Sequence, residues 1–404
     1  MERSDSNHNR PQTLPQIRSA MTQAGIDLLA LTSPKYILMA SGYWPVTGAS
    51  VFLISHEKSV LLAPADEAIF ADTQFSGTKI YFATASLENL DSLGRIIKPY
   101  LETAIHHLGV IPKQIGYEMA ALNEPMSYVS LYFPRSEMFQ LFQELLPDTR
   151  IQSFDLQLQQ LTATLDSFGL CQLKHAVTLA ANAFENLPQL YEPGVQENEL
   201  APKLSAYLAS GCTQHDRSGG QFFCMSGPNS AHAYAAFQQT TNRKIQNSDR
   251  LLVHCNSYYN GFWTDITRSY QTGKMDQRTA RLLGSIFKAR DSALAKIKPG
   301  IPAREVDGAA RRVLEAVGVG KEFKHGLGHA VGYSAINHLA IPRIHPASTD
   351  ILEAGMVFNI EPAVYFEGEF GLRHCDMVEV VPTGVKLLTP FVSSVAECEL
   401  NPGA

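Results

Sequence analysis

Residues 251–270, LLVHCNSYYNGFWTDITRSY, constrain this chain more than any other stretch. Asn260-Gly261 is a strong signal for a two-residue hairpin turn, because both central positions of a type I′ turn take positive φ. Aromatic and β-branched residues flank the turn, as strands favour. A two-residue turn sets Asn256 opposite Asp265 and His254 opposite Thr267. Side chains alternate faces along a strand. His254, Asn256, Trp263, Asp265 and Thr267 therefore share one face, with His254 diagonal to Asp265. Cys255 points to the other face and reads as core. A histidine, an amide and a carboxylate on one strand face suit a site better than a core.

The other bounds are broad. At 404 residues the chain exceeds one typical domain, so two are expected. It is 45% hydrophobic and 18% charged with a net charge of −6, and it has no basic block, which argues against nucleic acid as a partner. No apolar run approaches the roughly 20 residues of a membrane span, and the polar start MERSDSNHNRPQ does not read as a signal peptide. Six cysteines, scattered without a CxxC pair, fit reduced thiols in the cytoplasm.

Along the chain, helical patterns at 14–24, 87–101 and 136–146 alternate with short apolar runs at 28–31, 51–54, 60–63 and 80–82. That alternation predicts an α/β domain over residues 1–160. The aromatic stretch 128–133 reads as packing. From Asp166 the texture changes: helices are predicted at 166–190, 197–209 (with Pro202 expected to delay its start), 277–297 and 303–316. Strands fall between and after them, giving an α+β domain over 161–404 with helices on one face of an antiparallel sheet. Gly318-Val-Gly-Lys321 lacks the spacing of a phosphate loop and reads as a loop after a helix.

Candidate metal donors lie far apart in sequence: His254 and Asp265, His329, Glu361, and the trio His374-Cys375-Asp376. Divalent ions need several such donors converging on one point, and strands place them well. A second hairpin around Glu367-Gly368-Glu369 sets Glu361 opposite Cys375 if Gly368 is its centre, and opposite His374 if the turn is Glu367-Gly368 alone. Sequence leaves both open.

The ordered motifs YNGFWTDITRSY, FKHGLGHAVG, NIEPAVY and GLRHCD resemble the pita-bread superfamily of prolidase, aminopeptidase P, methionine aminopeptidase and creatinase. The resemblance covers roughly residues 160–395 and implies a pita-bread catalytic domain behind a smaller creatinase-type α/β domain. It also implies a peptidase with two metal ions held by two aspartates, a histidine and two glutamates. Asp265, His329 and Glu361 match three of these positions, whereas His254 stands for the first aspartate, eleven residues before Asp265, and Cys375 for the last glutamate. His254 and Cys375 either coordinate metal or fill an emptied pocket. Arg373 matches the arginine beside the last ligand, as a catalytic or orienting group. The substrate histidine falls on Tyr234 or Phe237 depending on where the count starts, with His232 close but out of register. The later histidine falls on Ile336, and His338 replaces it only if the loop carries two extra residues. His232 and His338 are thus either catalytic or ordinary surface residues.

These substitutions soften the site toward zinc or iron, with manganese or cobalt also admissible, and remove bridging oxygens, so one ion is expected as readily as two. The expected activity is a metal-dependent hydrolase of the Xaa-Pro dipeptidase or aminopeptidase P type, acting on a dipeptide or small molecule as a homodimer. A creatinase-like hydrolase or lyase acting on a small non-peptide substrate is the alternative, and a non-catalytic binding protein the third reading.

Overall fold

The computed structural model describes residues 11–46, 50–83, 91–119, 135–234 and 240–401. The chain divides into two compact units, residues 1–162 with 166–169, and residues 163–165 with 170–404.

The first unit is built on a six-stranded sheet: β1 (Leu28–Leu31), β2 (Val51–Ser55), β3 (Ser59–Pro64), β4 (Thr78–Phe82), β5 (Gln114–Tyr117) and β6 (Arg150–Ser153). Their order is β4-β3-β2-β1-β5-β6. β2 runs antiparallel to both neighbours, and the remaining pairs are parallel. Strands covered on both faces need unbroken apolar runs rather than alternation, which is why β1 and β2 are wholly buried. Ile97, Leu101 and Phe142 pack onto Leu28, Val51 and Leu53 in the core. The helix Leu14–Ala24 stops at Gly25, in the left-handed conformation, as read from sequence. The helix predicted at 87–101 instead runs Leu93–Leu108, because the Ser92 hydroxyl caps it, Ala104 and Leu108 extend its buried face and Gly109 ends it. Residues 87–90 and the aromatic stretch 128–133 lie outside the described residues.

The second unit is α+β. A sheet ordered β16-β10-β8-β7 comprises β7 (Ser218–Ser226), β8 (Arg250–Tyr259), β10 (Ile266–Thr272) and the short β16 (Glu399–Leu400), with β9 (Phe262–Trp263) pairing β8 at the turn. A second sheet joins β11 (Val357–Ile360), β14 (Asp376–Val381) and β15 (Gly384–Leu387), and β12 (Ala363–Phe366) pairs with β13 (Phe370–Arg373). Helices Gln277–Leu294 and Ala303–Ala316 bury Leu283, Ile286, Val306 and Ala310 in one core with Phe358 and Val378 of the second sheet. The predicted helix 166–190 is Ser167–Glu185 plus a separate turn Leu187–Leu190, with Pro188 at the break. Pro202 does not delay its helix. Gln196 and Glu199 form a capping box that starts it at Glu197, and after Ser205 the backbone tightens to a 3-10 turn.

Both hairpins have definite registers. Asn260 (φ 49°) and Gly261 (φ 85°) make the expected turn, Tyr259 pairs with Phe262, and His254 pairs with Thr267. In the second hairpin Phe366 pairs with Phe370 and Ala363 with Arg373, so three residues form the turn. The same register continues to Ile360 and Asp376, which sets Glu361 level with Cys375 rather than His374.

Candidate active site

Three segments carry the site. β8 and β10 present His254, Thr267 and, in the bend before β10, Asp265. Residues 327–332 lie as an extended connector between the hairpin and β11: Trp263 and Gly332 exchange backbone hydrogen bonds, as do His329 and Asn359 through the Asn359 side chain and main chain. Gly328 has to be glycine, since a Cβ there would strike the Asn359 carbonyl. Glu361 follows β11, its amide donating to Leu327 O at 2.7 Å. Cys375 exchanges backbone hydrogen bonds with Thr267, which brings the end of β13 against the first hairpin.

These elements surround a cavity of about 130 Å3 lined by Tyr234, His254, Asp265, His325, His329, Ile336, His338, Glu361 and Arg373, among others. At about 30 Å3 per water it has room for an ion and a few waters or a small acyl group. His329 Nδ1 donates to Ala330 O at 3.0 Å. Its Nε2 stands 3.3 Å from Asp265 Oδ2 and 3.8 Å from Glu361 Oε1. Asn359, oriented by accepting from His329 N, donates to the same Nε2 at 3.1 Å, so in the neutral ring Nε2 carries the lone pair. Burial disfavours the charged His329 ring, but the hydrogen bond and charge of Asp265, with Glu361, raise its pKa. Burial also works against Asp265, yet His254, His329 and Arg373 hold its carboxyl at about 2. Glu361 is pushed up to about 7 by burial, with Arg373 opposing and Asp265 adding.

Arg373 reaches into this group. Its Nε donates to Thr267 Oγ1 at 3.0 Å and lies 3.8 Å from Glu361 Oε2, while Nη2 is 3.2 Å from His254 Nδ1. His254 Nε2 meets Asn256 Oδ1 at 3.1 Å, and Asn256 Nδ2 donates to Thr264 O, so the proton sits on Nε2 and the Nδ1 lone pair faces Arg373 and Thr267. Cys375 Sγ lies 3.2 Å from Asp265 O, and burial holds its thiol well above the usual range, with Asp265 and Glu361 adding.

Of the residues singled out from sequence, His254, Asp265, His329, His338, Glu361 and Arg373 come together around the cavity, and Cys375 touches Asp265 from behind. Exposed His232, at the end of the turn Gly227–His232, is not part of the lining. Tyr234, one of the two positions to which the substrate histidine was assigned, and Ile336, to which the later histidine was assigned, do line it. Phe237 lies outside the described residues. His374 turns away, its Nε2 bonded to Asp376 Oδ2 at 3.0 Å. Sequence reasoning missed His325 and Tyr365, joined by a 3.0 Å hydrogen bond in which the Tyr365 hydroxyl donates to Nε2, since His325 Nδ1 faces Gly326 O. Both were within reach: His325 opens the HGLGH motif and Tyr365 closes NIEPAVY.

The sequence profile of metallopeptidase family M24 matches residues 171–382, just over half of the 404-residue chain. The chain belongs to metallopeptidase family M24. As an M24 member it is a hydrolase of the peptidase type, and the match spans the first hairpin, the cavity and strands β11 to β14. Among curated relatives, the uncharacterized peptidase YqhT of Bacillus subtilis is 24% identical over 376 residues, covering 93% of this chain and 97% of the relative. Among solved structures, the X-Pro aminopeptidase of Thermotoga maritima aligns with a TM-score of 0.76 at 20% identity, covering 95% of this chain and 99% of that one. The Xaa-Pro dipeptidase of Bacillus anthracis aligns at 0.75 with 22% identity, covering 94% and 97%. These likenesses show the pita-bread fold with an N-terminal domain.

M24 membership implies a divalent metal ion. Among the described residues, no three His, Cys, Asp or Glu side chains stand close enough to cage an ion as they are. The donor chemistry of one group still fits a single cation. Two donors of one tetrahedral ion, with bonds of about 2.1 Å, stand about 3.4 Å apart. The Asp265–His329 spacing of 3.3 Å matches that edge, and Glu361 at 3.8 Å needs only a small inward shift. An ionised carboxylate, an imidazole lone pair and a second carboxylate suit such an ion. His254 Nδ1 is met by Arg373 and Thr267, as His329 Nε2 is by Asn359, and Cys375 Sγ faces the Asp265 carbonyl.

Proposed function

We propose that this M24 protein is a single-metal hydrolase of the Xaa-Pro dipeptidase or aminopeptidase P type, with Asp265, His329 and Glu361 as the ion's protein ligands. The observation that carries the reading is the meeting of these three buried side chains at one cavity. His254 lines the pocket and Cys375 backs Asp265, at the places where the resemblance puts two carboxylates of the usual set. The fewer hard oxygens favour zinc or iron over manganese or cobalt.

A bound ion would supply an activated water and a polarised carbonyl. The chain's own groups do the rest. Asp265, His254 and Arg373 fix one wall through direct contacts, so the donors meet the ion with little rearrangement. The Arg373 guanidinium, charged and held by Thr267, lies where it can bind the oxygen on which negative charge develops. His338, whose ring sits 4.7 Å from that of His329, is pushed down to about 4 by burial and the neighbouring His329. It is therefore neutral at pH 7 and can accept a proton at a ring nitrogen. Tyr234 and Ile336 give the mouth an apolar character suited to a proline ring or aliphatic side chain. The resemblance further suggests a cytoplasmic homodimer, which light scattering on the purified chain would check. Among the described residues, no helix is long and apolar enough to cross a membrane.

The test is hydrolysis of a panel of Xaa-Pro dipeptides and Xaa-Pro tripeptides after chelation and return of zinc, iron, manganese or cobalt. Turnover should appear with metal and vanish in His329→Ala. No turnover with any metal would sink the peptidase reading. The exposed position of His232, outside the lining, favours one alternative, a creatinase-like hydrolase or lyase acting on a small non-peptide substrate, and a panel of small amides and guanidines belongs in the same assay.

A further inference from the structure

An imidazole that binds an ion does so through a nitrogen lone pair, and the lone pair of His329 already has a partner. Asn359 lies on β11, two residues before Glu361, and is fully buried. Its main chain donates to His329 O at 3.0 Å, and its Oδ1 accepts from His329 N at 2.7 Å. The second contact decides how the amide is turned, because a backbone N–H can only donate. Nδ2 therefore faces the ring, 3.1 Å from Nε2. That nitrogen also looks toward Asp265 Oδ2 at 3.3 Å and Glu361 Oε1 at 3.8 Å. The amide is closely packed: a Cβ on residue 328 would stand only 2.8 Å from Oδ1.

We propose that Asn359 competes with the metal ion for His329, donating Nδ2–H to the Nε2 lone pair while the site is empty and so weakening the ion's hold and speeding its exchange. The proposal rests on the reading above in which His329 is a ligand. When an ion takes the lone pair, Nδ2–H loses its acceptor and faces a cation instead. The amide cannot exchange its two ends to escape, since that would set an N–H against the His329 N–H. A buried donor left without an acceptor weakens binding by about ten- to hundredfold. In return the empty site keeps its shape. The ring stays aimed at Asp265 and Glu361 with both nitrogens bonded, Nδ1 to Ala330 O and Nε2 to Asn359. The usual partner of a ligating histidine meets the nitrogen that does not bind metal, and strengthens binding. Ala330 O plays that part here, whereas Asn359 meets the other nitrogen and acts with the opposite sign.

Zinc affinity by calorimetry and zinc release to excess chelator by stopped flow, on the full chain and on Asn359→Thr, test this. The shorter threonine keeps a hydroxyl on the side of the His329 amide and carries no donor that reaches the ring. The variant should bind zinc about tenfold more tightly and release it about tenfold more slowly. A merely structural role for Asn359 predicts the reverse, because a loosened His329 holds an ion less well. Equal or weaker binding in Asn359→Thr, with zinc bound by the wild type, would overturn the proposal and leave the ion reading intact. Absence of zinc binding in both proteins would overturn both. Zinc bound by the variant alone would support the competition in its strongest form. If circular dichroism shows that Asn359→Thr does not fold, nitrogen-15 NMR of the wild type decides. Asn359 Nδ2 and His329 Nε2 should share a scalar coupling across their hydrogen bond in the ion-free protein, and zinc should abolish it. No coupling without zinc, or one that survives saturating zinc, overturns the proposal.

Discussion

Cys375 shows how little a residue's type says about its part in a site. A cysteine at the place of a metal-binding glutamate invites a thiolate ligand, and thiolates bind zinc well. Here Sγ turns to the Asp265 carbonyl, and burial with two nearby carboxylates keeps the thiol protonated. His329, by contrast, points a lone pair at Asp265 and Glu361 from a ring whose other nitrogen is tied to Ala330 O. The two residues should therefore separate cleanly in a zinc titration by calorimetry. Removing an outer partner of a metal site costs about 10–100-fold in affinity, and removing a ligand at least as much, so His329→Ala should weaken binding by about 100-fold or more. Cys375→Ser should stay within about threefold, because a hydroxyl can keep the contact to the Asp265 carbonyl. Equal losses in both variants would make Cys375 a ligand. What sequence could not supply at this scale is side-chain direction: the reach of Arg373 to His254 depends on a long rotamer fixed by Thr267, far away in the chain, and by Tyr365 in the facing strand of its own hairpin.

At the scale of elements, β10 and β14 are joined by a buried ion pair, Arg268 Nη2 to Asp376 Oδ1 at 2.8 Å, and both side chains are fully buried. Thr389 and His374 complete the carboxylate's hydrogen bonds, and Arg290 approaches its other oxygen. Breaking a buried pair from one side strands the remaining charge, so Asp376→Asn should destabilise the protein by about 3–5 kcal/mol in urea unfolding. Burial alone would raise the Asp376 pKa, but His374 and Arg268 hold it well below the usual carboxylate range. A depressed folded pKa means this stabilisation is present above the unfolded value of about 3.9 and is lost as pH falls toward the folded one. Wild type should thus lose urea stability on acidification below about pH 4 more steeply than Asp376→Asn, and parallel curves would discount the ion pair. The hairpin that carries His254 and Asp265 was legible because Asn260-Gly261 allows one register. The second hairpin was not, because Glu367-Gly368-Glu369 serves a two- or three-residue turn equally well, and the contacts of Phe366 with Phe370 decide it. The pairing of Cys375 with Thr267 joins separate sheets and leaves no local pattern to read.

For the whole molecule, the pocket's charge balance links function to folding. Asp265 and Glu361 are 2% and 6% exposed, with Arg373 as the buried cation beside them and His254 neutral. Without an ion, the second carboxylate avoids its charge by taking up a proton, which is why burial lifts Glu361 to about 7. With an ion, both carboxylates can ionise, and the ion is held in the folded state alone, since the unfolded chain does not gather Asp265, His329 and Glu361 from positions so far apart in sequence. Binding to the native state only stabilises by RT ln(1 + [L]/Kd), about 2.7 kcal/mol at a hundredfold excess over Kd. For a folding unit of this size each kcal/mol moves the midpoint by about 2–4 °C, so zinc or manganese should raise Tm by about 5–10 °C. The rise should grow with the logarithm of ion concentration, reverse with chelator and be absent in His329→Ala. Ion uptake should also release the proton from Glu361, making the stabilisation larger at pH 8 than at pH 6, because below about 7 the ion must first displace that proton. A Tm that ignores the ion in the wild type, measured by scanning calorimetry at both pH values, would show that the pocket is balanced without metal and that Arg373 alone meets its charge.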